Sequence, residues 1–221
     1  MAASSLKPTF QPALFLRARP VTLTRRWLIT LWIAVPIIYI GLPVLILLGA
    51  IPWDMKFVAL TVAGAVVYAL FRLAGYTNAE IGATAHGAGK SLLRVAPLTV
   101  LLVVAAVVLY AIGYSRIDPS EDWLFYLFYI FISCPIQEFL YRGALSAFGR
   151  TLKLPTWAIL LMTSLLYAYV HVIYLDWLTV AVTFLIGLYW FWVYNGARTL
   201  IGVSVSHAIL GVATIAAGLI D

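Results

Sequence analysis

Residues 27–50 read WLITLWIAVPIIYIGLPVLILLGA and contain no charged side chain. A helix needs about 20 apolar residues to cross a hydrocarbon core of about 30 Å, so this run is long enough for one span. The run is too long for a signal-peptide core and lacks a small-x-small cleavage site. Pro36 and Pro43 predict a kink inside the span, packed against other helices because lipid cannot satisfy freed backbone groups.

The whole chain has the composition of a membrane protein. Of its 221 residues, 64% are hydrophobic and 10% are charged, against about 45–50% and about 25% in soluble domains. These values exclude a soluble fold and disorder, and the single cysteine, Cys134, excludes a disulfide scaffold. The ten-residue alternation of an outer-membrane barrel is not found. The predicted fold class is an all-α polytopic membrane bundle. The net charge of +6 does not indicate a nucleic-acid partner, because the basic residues lie between hydrophobic runs.

Seven membrane helices are predicted, with a cytoplasmic N-terminus. The predicted spans are 27–50, 57–75, 95–114, 123–149, 155–175, 177–194 and 199–220. This topology puts all Lys and Arg except Lys56 and Arg116 on the inner side, as the positive-inside rule requires. Residues 1–26 are predicted to be a basic cytoplasmic tail and residues 27–221 a single transmembrane domain. The polar, Gly-rich segment 75–94 is expected to be a linker or a short surface helix.

Four ionisable residues inside the predicted spans are candidates for function, because charges in a bilayer are costly. Glu138 and Arg142 are four residues apart, so both side chains lie on one helical face and can neutralise each other. They form either a structural ion pair or a carboxylate base oriented by a guanidinium. His171 and His207 lie among apolar residues on two other spans. Either each histidine is an ordinary packing residue, or both share a polar pocket with Glu138 and Arg142.

Two further side chains are auxiliary candidates. Tyr167 precedes His171 by one turn and is placed to orient its imidazole. Cys134 precedes Glu138 by one turn and is expected to face the same cavity, either as a small packing residue or as a reactive thiol.

The order of these residues resembles the CAAX-protease and bacteriocin-processing family of intramembrane endopeptidases, known as CPBP or Abi. That family carries a Glu-Glu-x-x-x-Arg motif, then Phe-x-x-x-His, then His-x-x-x-Asn, on a helical membrane bundle. The first motif corresponds to residues 137–142, QEFLYR, which follow Pro135. The second corresponds to residues 167–171 and the third to residues 207–211.

Two departures from the family motifs concern chemistry. Gln137 stands where the family has its first glutamate, which is thought to activate the attacking water, and an amide cannot accept that proton. Gly211 stands where an asparagine would help His207 stabilise an oxyanion, and loss of one such donor costs about 10²–10³ in rate. Tyr167 in place of phenylalanine is a mild change.

The resemblance implies hydrolysis of a peptide bond near a membrane-embedded or lipidated segment of a peptide or protein substrate. In that mechanism Glu138, held by Arg142, takes a proton from a water that His171 helps to hold, and His207 donates to the oxyanion. No cofactor is required. The predicted location is a bacterial or archaeal cytoplasmic membrane, with the lipid bilayer as a partner.

The resemblance also requires one pocket. A rise of about 1.5 Å per residue puts His207 about 12 Å and His171 about 24 Å from the inner ends of their predicted spans. We therefore predict that the four residues converge and that the helix boundaries shift to allow this.

Several alternatives remain open from the residues alone. An impaired family member would bind or scaffold membrane partners without turnover, as Gln137 and Gly211 would favour. Cys134 would be the nucleophile of a membrane protease or transpeptidase, with a histidine as base. A haem ligated by His171 and His207, or a metal held by those histidines and Glu138, are further possibilities.

Overall fold

Residues 22–220 form a bundle of six long helices and one shorter helix in the computed structural model, which describes this part of the chain. Six helices are long and apolar enough to cross a membrane. These are α1 (Arg25–Leu47), α2 (Trp53–Leu73), α3 (Ala88–Ala111), α4 (Trp123–Thr151), α5 (Thr156–Tyr174) and α6 (Trp177–Ala197). The shorter apolar helix α7 (Ile201–Ala216) follows. Most of the predicted tail, residues 1–21, lies outside the described residues.

The predicted fold class is confirmed, because helices are the regular secondary structure of residues 22–220 and no strand occurs among them. The chain is an integral membrane protein. The boundaries of the predicted spans shift by a few residues in the structure, and the start of α3 shifts most. Helix α3 begins at Ala88, directly after Gly87, which is the last residue of the preceding loop. Gly87 has a φ of 83°, which is unfavourable for residues that carry a Cβ. Helix α7 has 16 residues and is about 24 Å long, shorter than the predicted span 199–220.

Prolines coincide with π-helical turns in two of the helices. In α1, Pro36 and Pro43 flank a π-helical segment at Ile37–Gly41, where the sequence predicts a kink. In α4, Pro135 follows the π-helical segment Tyr129–Ser133, and a second such segment lies at Phe139–Ala144. Because proline has no N–H to donate and each π-turn accommodates one extra residue, these positions change the direction in which later side chains point.

Helix α4 passes through the centre of the bundle. From Glu138 to Gly149 every residue of this helix is buried, whereas residues such as Phe131 nearer its start are exposed. A helix that is buried on all sides must be surrounded by other helices. The outer faces of the surrounding helices expose large apolar side chains, including Leu93 and Leu101 on α3, as a lipid-facing surface requires.

The loop between α2 and α3 is packed into the bundle, which corrects the expected linker or surface helix at residues 75–94. Tyr76 and Ile81 are buried, and the Ile81 carbonyl lies against Gly143 of α4, where there is no room for a Cβ. The Leu200 N–H donates to the Gly82 carbonyl at 3.0 Å. The polar, Gly-rich composition of the loop does not predict hydrogen bonds to residues so far away in the sequence. The loop closes this end of the bundle.

At the opposite end, a salt bridge joins the loop after α3 to the start of α6. Both terminal nitrogens of Arg116 donate to the Asp176 carboxylate at 3.0 Å, and this contact holds the pKa of Asp176 well below its ordinary value. Arg116 also donates to the carbonyl of Leu219 at 2.9 Å. Asp176 additionally caps α6 by accepting from the N–H of Leu178 and of Thr179.

Candidate functional site

A buried ion pair forms the centre of the candidate site. Glu138 and Arg142 are both 0% exposed, and Arg142 Nη1 donates to Glu138 Oε1 at 3.2 Å. Within residues 22–220 the atoms Glu138 Oε2 and Arg142 Nε and Nη2 have no hydrogen-bond partner. The guanidinium also lies over the ring of Tyr167, with Cζ 4.0 Å from the ring centroid. The one-turn spacing of the pair therefore produces the contact that it predicts.

His207 of α7 contacts the same carboxylate oxygen. Its Nδ1 lies 2.8 Å from Glu138 Oε1, and the side chain is almost fully buried. The ring of Trp190 from α6 stacks on the imidazole with centroids 4.8 Å apart. An ionised carboxylate only accepts hydrogen bonds, so the proton of this contact belongs to Nδ1. Glu138 and Trp190 together fix the plane of the imidazole. Trp190 was not among the residues singled out from the sequence.

Tyr167 of α5 connects the two histidines. Its hydroxyl lies 3.3 Å from His207 Nε2, and its backbone carbonyl lies 2.8 Å from His171 Nδ1. The centroid of its ring is 5.7 Å from that of His207 and 4.9 Å from that of His171. The two imidazoles therefore lie within about 11 Å of each other, which is the sum of the two separations.

The two histidines approach each other although α5 and α7 begin within two residues of their predicted starts. The prediction that these helix boundaries shift to bring the site together is therefore corrected. Helix α5 begins at Thr156, one residue after the predicted start, and α7 begins at Ile201. Helical side chains point back towards the N-terminus of their helix. The long Tyr167 side chain therefore reaches from its own level to that of His207. Direct contact is limited to His207, Glu138 and Arg142, and His171 joins them through Tyr167.

The site borders a large apolar cavity of about 580 Å³. Its lining includes, at the site, Tyr129, Gln137, Tyr167, His171, His207 and Gly211. Lys56 near the start of α2, and Arg116 and Glu121 in the loop after α3, line it elsewhere. The cavity thus extends from His171 and His207 towards the end of the bundle where Arg116 meets Asp176.

Gln137 and Glu138, the first two residues of the first motif, differ in their position relative to the cavity. Gln137 lines the cavity and its Nε2 donates to Ser133 Oγ at 2.9 Å, whereas Glu138 does not line the cavity. Neighbouring residues on a helix point about 100° apart, and here this difference leaves Gln137 on the cavity wall and Glu138 away from it. The amide is therefore on the cavity side, and the carboxylate lies behind His207.

Cys134 is a free, fully buried cysteine that does not line the cavity. Its side chain interacts with Tyr129 and with His207. The thiol is thus next to an imidazole, as the alternative of a cysteine nucleophile requires, but it is enclosed by the bundle.

The three residues named as an alternative metal site are not brought together as one group. Within residues 22–220 no group of three His, Cys, Asp or Glu side chains could hold a metal ion. Glu138 and His207 are in contact, but His171 approaches them only through Tyr167. The set lacks the convergence of three ligands that zinc needs.

Comparison with known families supports the resemblance inferred from the motifs. The family model described as Rce1-like, type II CAAX prenyl endopeptidase, matches residues 119–213. All three motifs lie inside this segment, so the resemblance to the CAAX-protease family is confirmed there. No curated protein and no solved structure matches the chain. The family match supports a membrane endopeptidase and does not identify the catalytic residues.

Proposed function

We propose that this protein is a membrane endopeptidase that hydrolyses a peptide bond next to a lipidated segment of its substrate. The observation that carries the proposal is the position of His171 and His207 on one apolar cavity, with Nδ1 of each ring hydrogen-bonded to a protein oxygen. Such contacts fix the orientation of each imidazole, so that Nε2 of His171 is left for chemistry and Nε2 of His207 lies 3.3 Å from the Tyr167 hydroxyl. The family match to residues 119–213 supports the same reaction class.

His171 is the proposed general base. A backbone carbonyl can only accept, so the contact with the Tyr167 carbonyl places a proton on His171 Nδ1. In the neutral ring Nε2 then carries the lone pair. It accepts a proton from water as the water oxygen attacks the substrate carbonyl carbon, and later gives that proton to the leaving amine. This assignment differs from the mechanism implied by the resemblance, in which Glu138 accepts the proton.

Glu138 is proposed to act through His207. The carboxylate holds His207 Nδ1, and Arg142 holds the carboxylate, so the chain Arg142–Glu138–His207 fixes the imidazole at the cavity wall. With Nδ1–H donated to Glu138, His207 carries a proton on Nε2 as the imidazolium, which the carboxylate stabilises, and this N–H donates a hydrogen bond to the oxyanion that forms when water adds to the carbonyl. In this proposal Glu138 and Arg142 are positioning residues, and His171 and His207 are the catalytic residues.

The proposed substrate class is a peptide with an S-prenylated cysteine close to its C-terminus. The matched family is described as a prenyl endopeptidase, and the cavity is lined mainly by aliphatic and aromatic side chains that suit an isoprenoid chain. The lipid would lie in the cavity, with the scissile bond near the two histidines. A bacterial or archaeal cytoplasmic membrane remains the proposed location.

The test uses purified protein in lipid nanodiscs and an internally quenched peptide that ends in S-farnesylcysteine followed by three residues. We expect the wild type to release the three-residue product with a free amine, and one oxygen from water to enter the new carboxylate of the farnesylcysteine product. Glu138→Gln and His171→Gln should each reduce kcat by about 10²-fold or more. The matched control is Asp118→Asn, which neutralises an exposed carboxylate in the loop after α3. Absence of wild-type cleavage, or wild-type rates in both variants, would refute the proposal.

A second candidate function is binding of a lipidated partner without turnover. It is favoured by the amide of Gln137, which lines the cavity where the family has a carboxylate. This candidate predicts that the wild type binds the farnesylated peptide and never releases the three-residue product. The same assay therefore separates the two functions.

A further inference from the structure

Tyr129 occupies the side-chain space of position 211. A Cβ atom added to Gly211 would collide with the Tyr129 hydroxyl oxygen and would lie 2.5 Å from Cε1 and Cζ of the same ring. No real Cβ approaches other atoms so closely, so residue 211 must be glycine while the Tyr129 side chain keeps this position. The tyrosine hydroxyl thus rests directly on the backbone of α7.

This hydroxyl is located beside His207 at the cavity. Gly211 follows His207 by one helical turn, and both residues line the cavity together with Tyr129. The rings of Tyr129 and His207 meet edge to face with centroids 5.9 Å apart. A hydroxyl donor and an imidazole donor are therefore presented next to each other on one wall.

The π-turn in α4 explains why Tyr129 faces this wall. Tyr129 and Glu138 are nine residues apart, which in an unbroken α-helix would place them on opposite faces, since nine steps of about 100° end half a turn away. The segment Tyr129–Ser133 is π-helical, and the Cys134 N–H bonds to the Tyr129 carbonyl five residues back. One extra residue in the turn changes the angle by about 100° and brings both side chains towards α7.

We infer that the Tyr129 hydroxyl is a second oxyanion donor, acting beside His207 in peptide-bond hydrolysis. This inference rests on the proposed function. When the oxygen of water bonds to the substrate carbonyl carbon, the carbonyl oxygen becomes an alkoxide. Tyr129 donates a hydrogen bond to that oxygen through its O–H and keeps its proton. A phenol in the space of residue 211 thereby supplies the donor that an asparagine would supply from position 211.

The first test is Tyr129→Phe in the farnesylated-peptide assay, because it removes only the hydroxyl. We expect kcat to fall by about 10²–10³-fold with KM changed by less than about twofold, since the donor acts in the transition state. The matched control is Tyr126→Phe on the same helix, whose side chain does not line the cavity. If the wild type shows Glu138-dependent cleavage and Tyr129→Phe cleaves equally fast, the inference is wrong and the proposed function stands.

A second test does not require turnover. It compares binding of the farnesylated peptide with binding of a phosphinate analogue, in which a tetrahedral anionic group replaces the scissile carbonyl. We expect Tyr129→Phe to weaken phosphinate binding by about tenfold or more, as loss of a hydrogen bond to a charged group requires, and to leave peptide binding within about twofold. Equal weakening of both ligands would indicate a packing role and overturn the inference. If the wild type neither cleaves the peptide nor prefers the phosphinate, both the proposed function and this inference fail.

Discussion

Replacement of Arg142 by methionine tests whether the ion pair is as isolated from solvent as its burial indicates. Both partners are 0% exposed, and the Arg142→Met substitution leaves the Glu138 carboxylate with His207 as its remaining partner. Removing one member of a buried pair costs about 3–5 kcal/mol, because the other charge stays buried. The guanidinium also lies 4.0 Å from the Tyr167 ring centroid, a contact that contributes about 1–2 kcal/mol when desolvated. Burial of the methionine side chain offsets part of this second loss.

We therefore expect Arg142→Met to lower the free energy of unfolding by about 3–5 kcal/mol. The measurement is equilibrium unfolding by sodium dodecyl sulfate in mixed micelles, followed by tryptophan fluorescence. The double variant Glu138→Gln with Arg142→Met removes both charges and should recover at least half of the loss. The matched control, Lys90→Met, removes an exposed cation of α3. The reasoning fails if Arg142→Met is within about 1 kcal/mol of the wild type, or if the double variant is no more stable than the single one.

Three further predictions concern other positions. Gln137→Glu places a carboxylate on the cavity wall and should raise the rate of peptide cleavage by about tenfold or more; an unchanged rate would show that residue 137 takes no part in proton transfer. Cys134→Ala should retain cleavage activity, because the thiol does not line the cavity, and abolished cleavage would make the cysteine mechanism correct. Asp176→Asn keeps the helix cap but loses the charge that Arg116 binds, so stability at pH 7 should fall by about 1 kcal/mol. Because the folded-state pKa of Asp176 is depressed, this stabilisation is present above about pH 4 and is lost as the pH falls further. Melting temperatures of wild type and variant should therefore converge in acid, and a constant difference would contradict the assignment.

The sequence predicts the fold class because long uncharged runs have few alternatives in a membrane protein. It also predicts where α1 is irregular, since Pro36 and Pro43 flank its π-helical segment. The early start of α3 and the burial of Ile81 were not predicted. Both depend on contacts between distant segments, such as the approach of the Ile81 carbonyl to Gly143, and a polar, Gly-rich composition does not reveal them.

The site could be predicted in part. The spacing of Glu138 and Arg142 predicts their contact, because one helical turn separates them. The contact between Glu138 and His207 spans 69 positions, so only the order of the motifs suggested it. Gln137 follows the π-helical segment Tyr129–Ser133, and such turns change side-chain directions by amounts that a regular helical period does not describe. Tyr129 was missed because its partner is a glycine, which has no side chain to suggest a contact.

Tyr167 holds both histidines, one through its hydroxyl and the other through its carbonyl. His171 lies on α5 itself, whereas His207 is held on α7 by Glu138 and Trp190, so a movement of α5 carries His171 away and breaks the contact between Tyr167 and His207. The arrangement makes the pair preorganised: no reorientation of either ring is needed when a substrate carbonyl arrives between them. It also makes the pair vulnerable, because a lipid or peptide that pushed α5 outward would disconnect His171 and His207 in a single step.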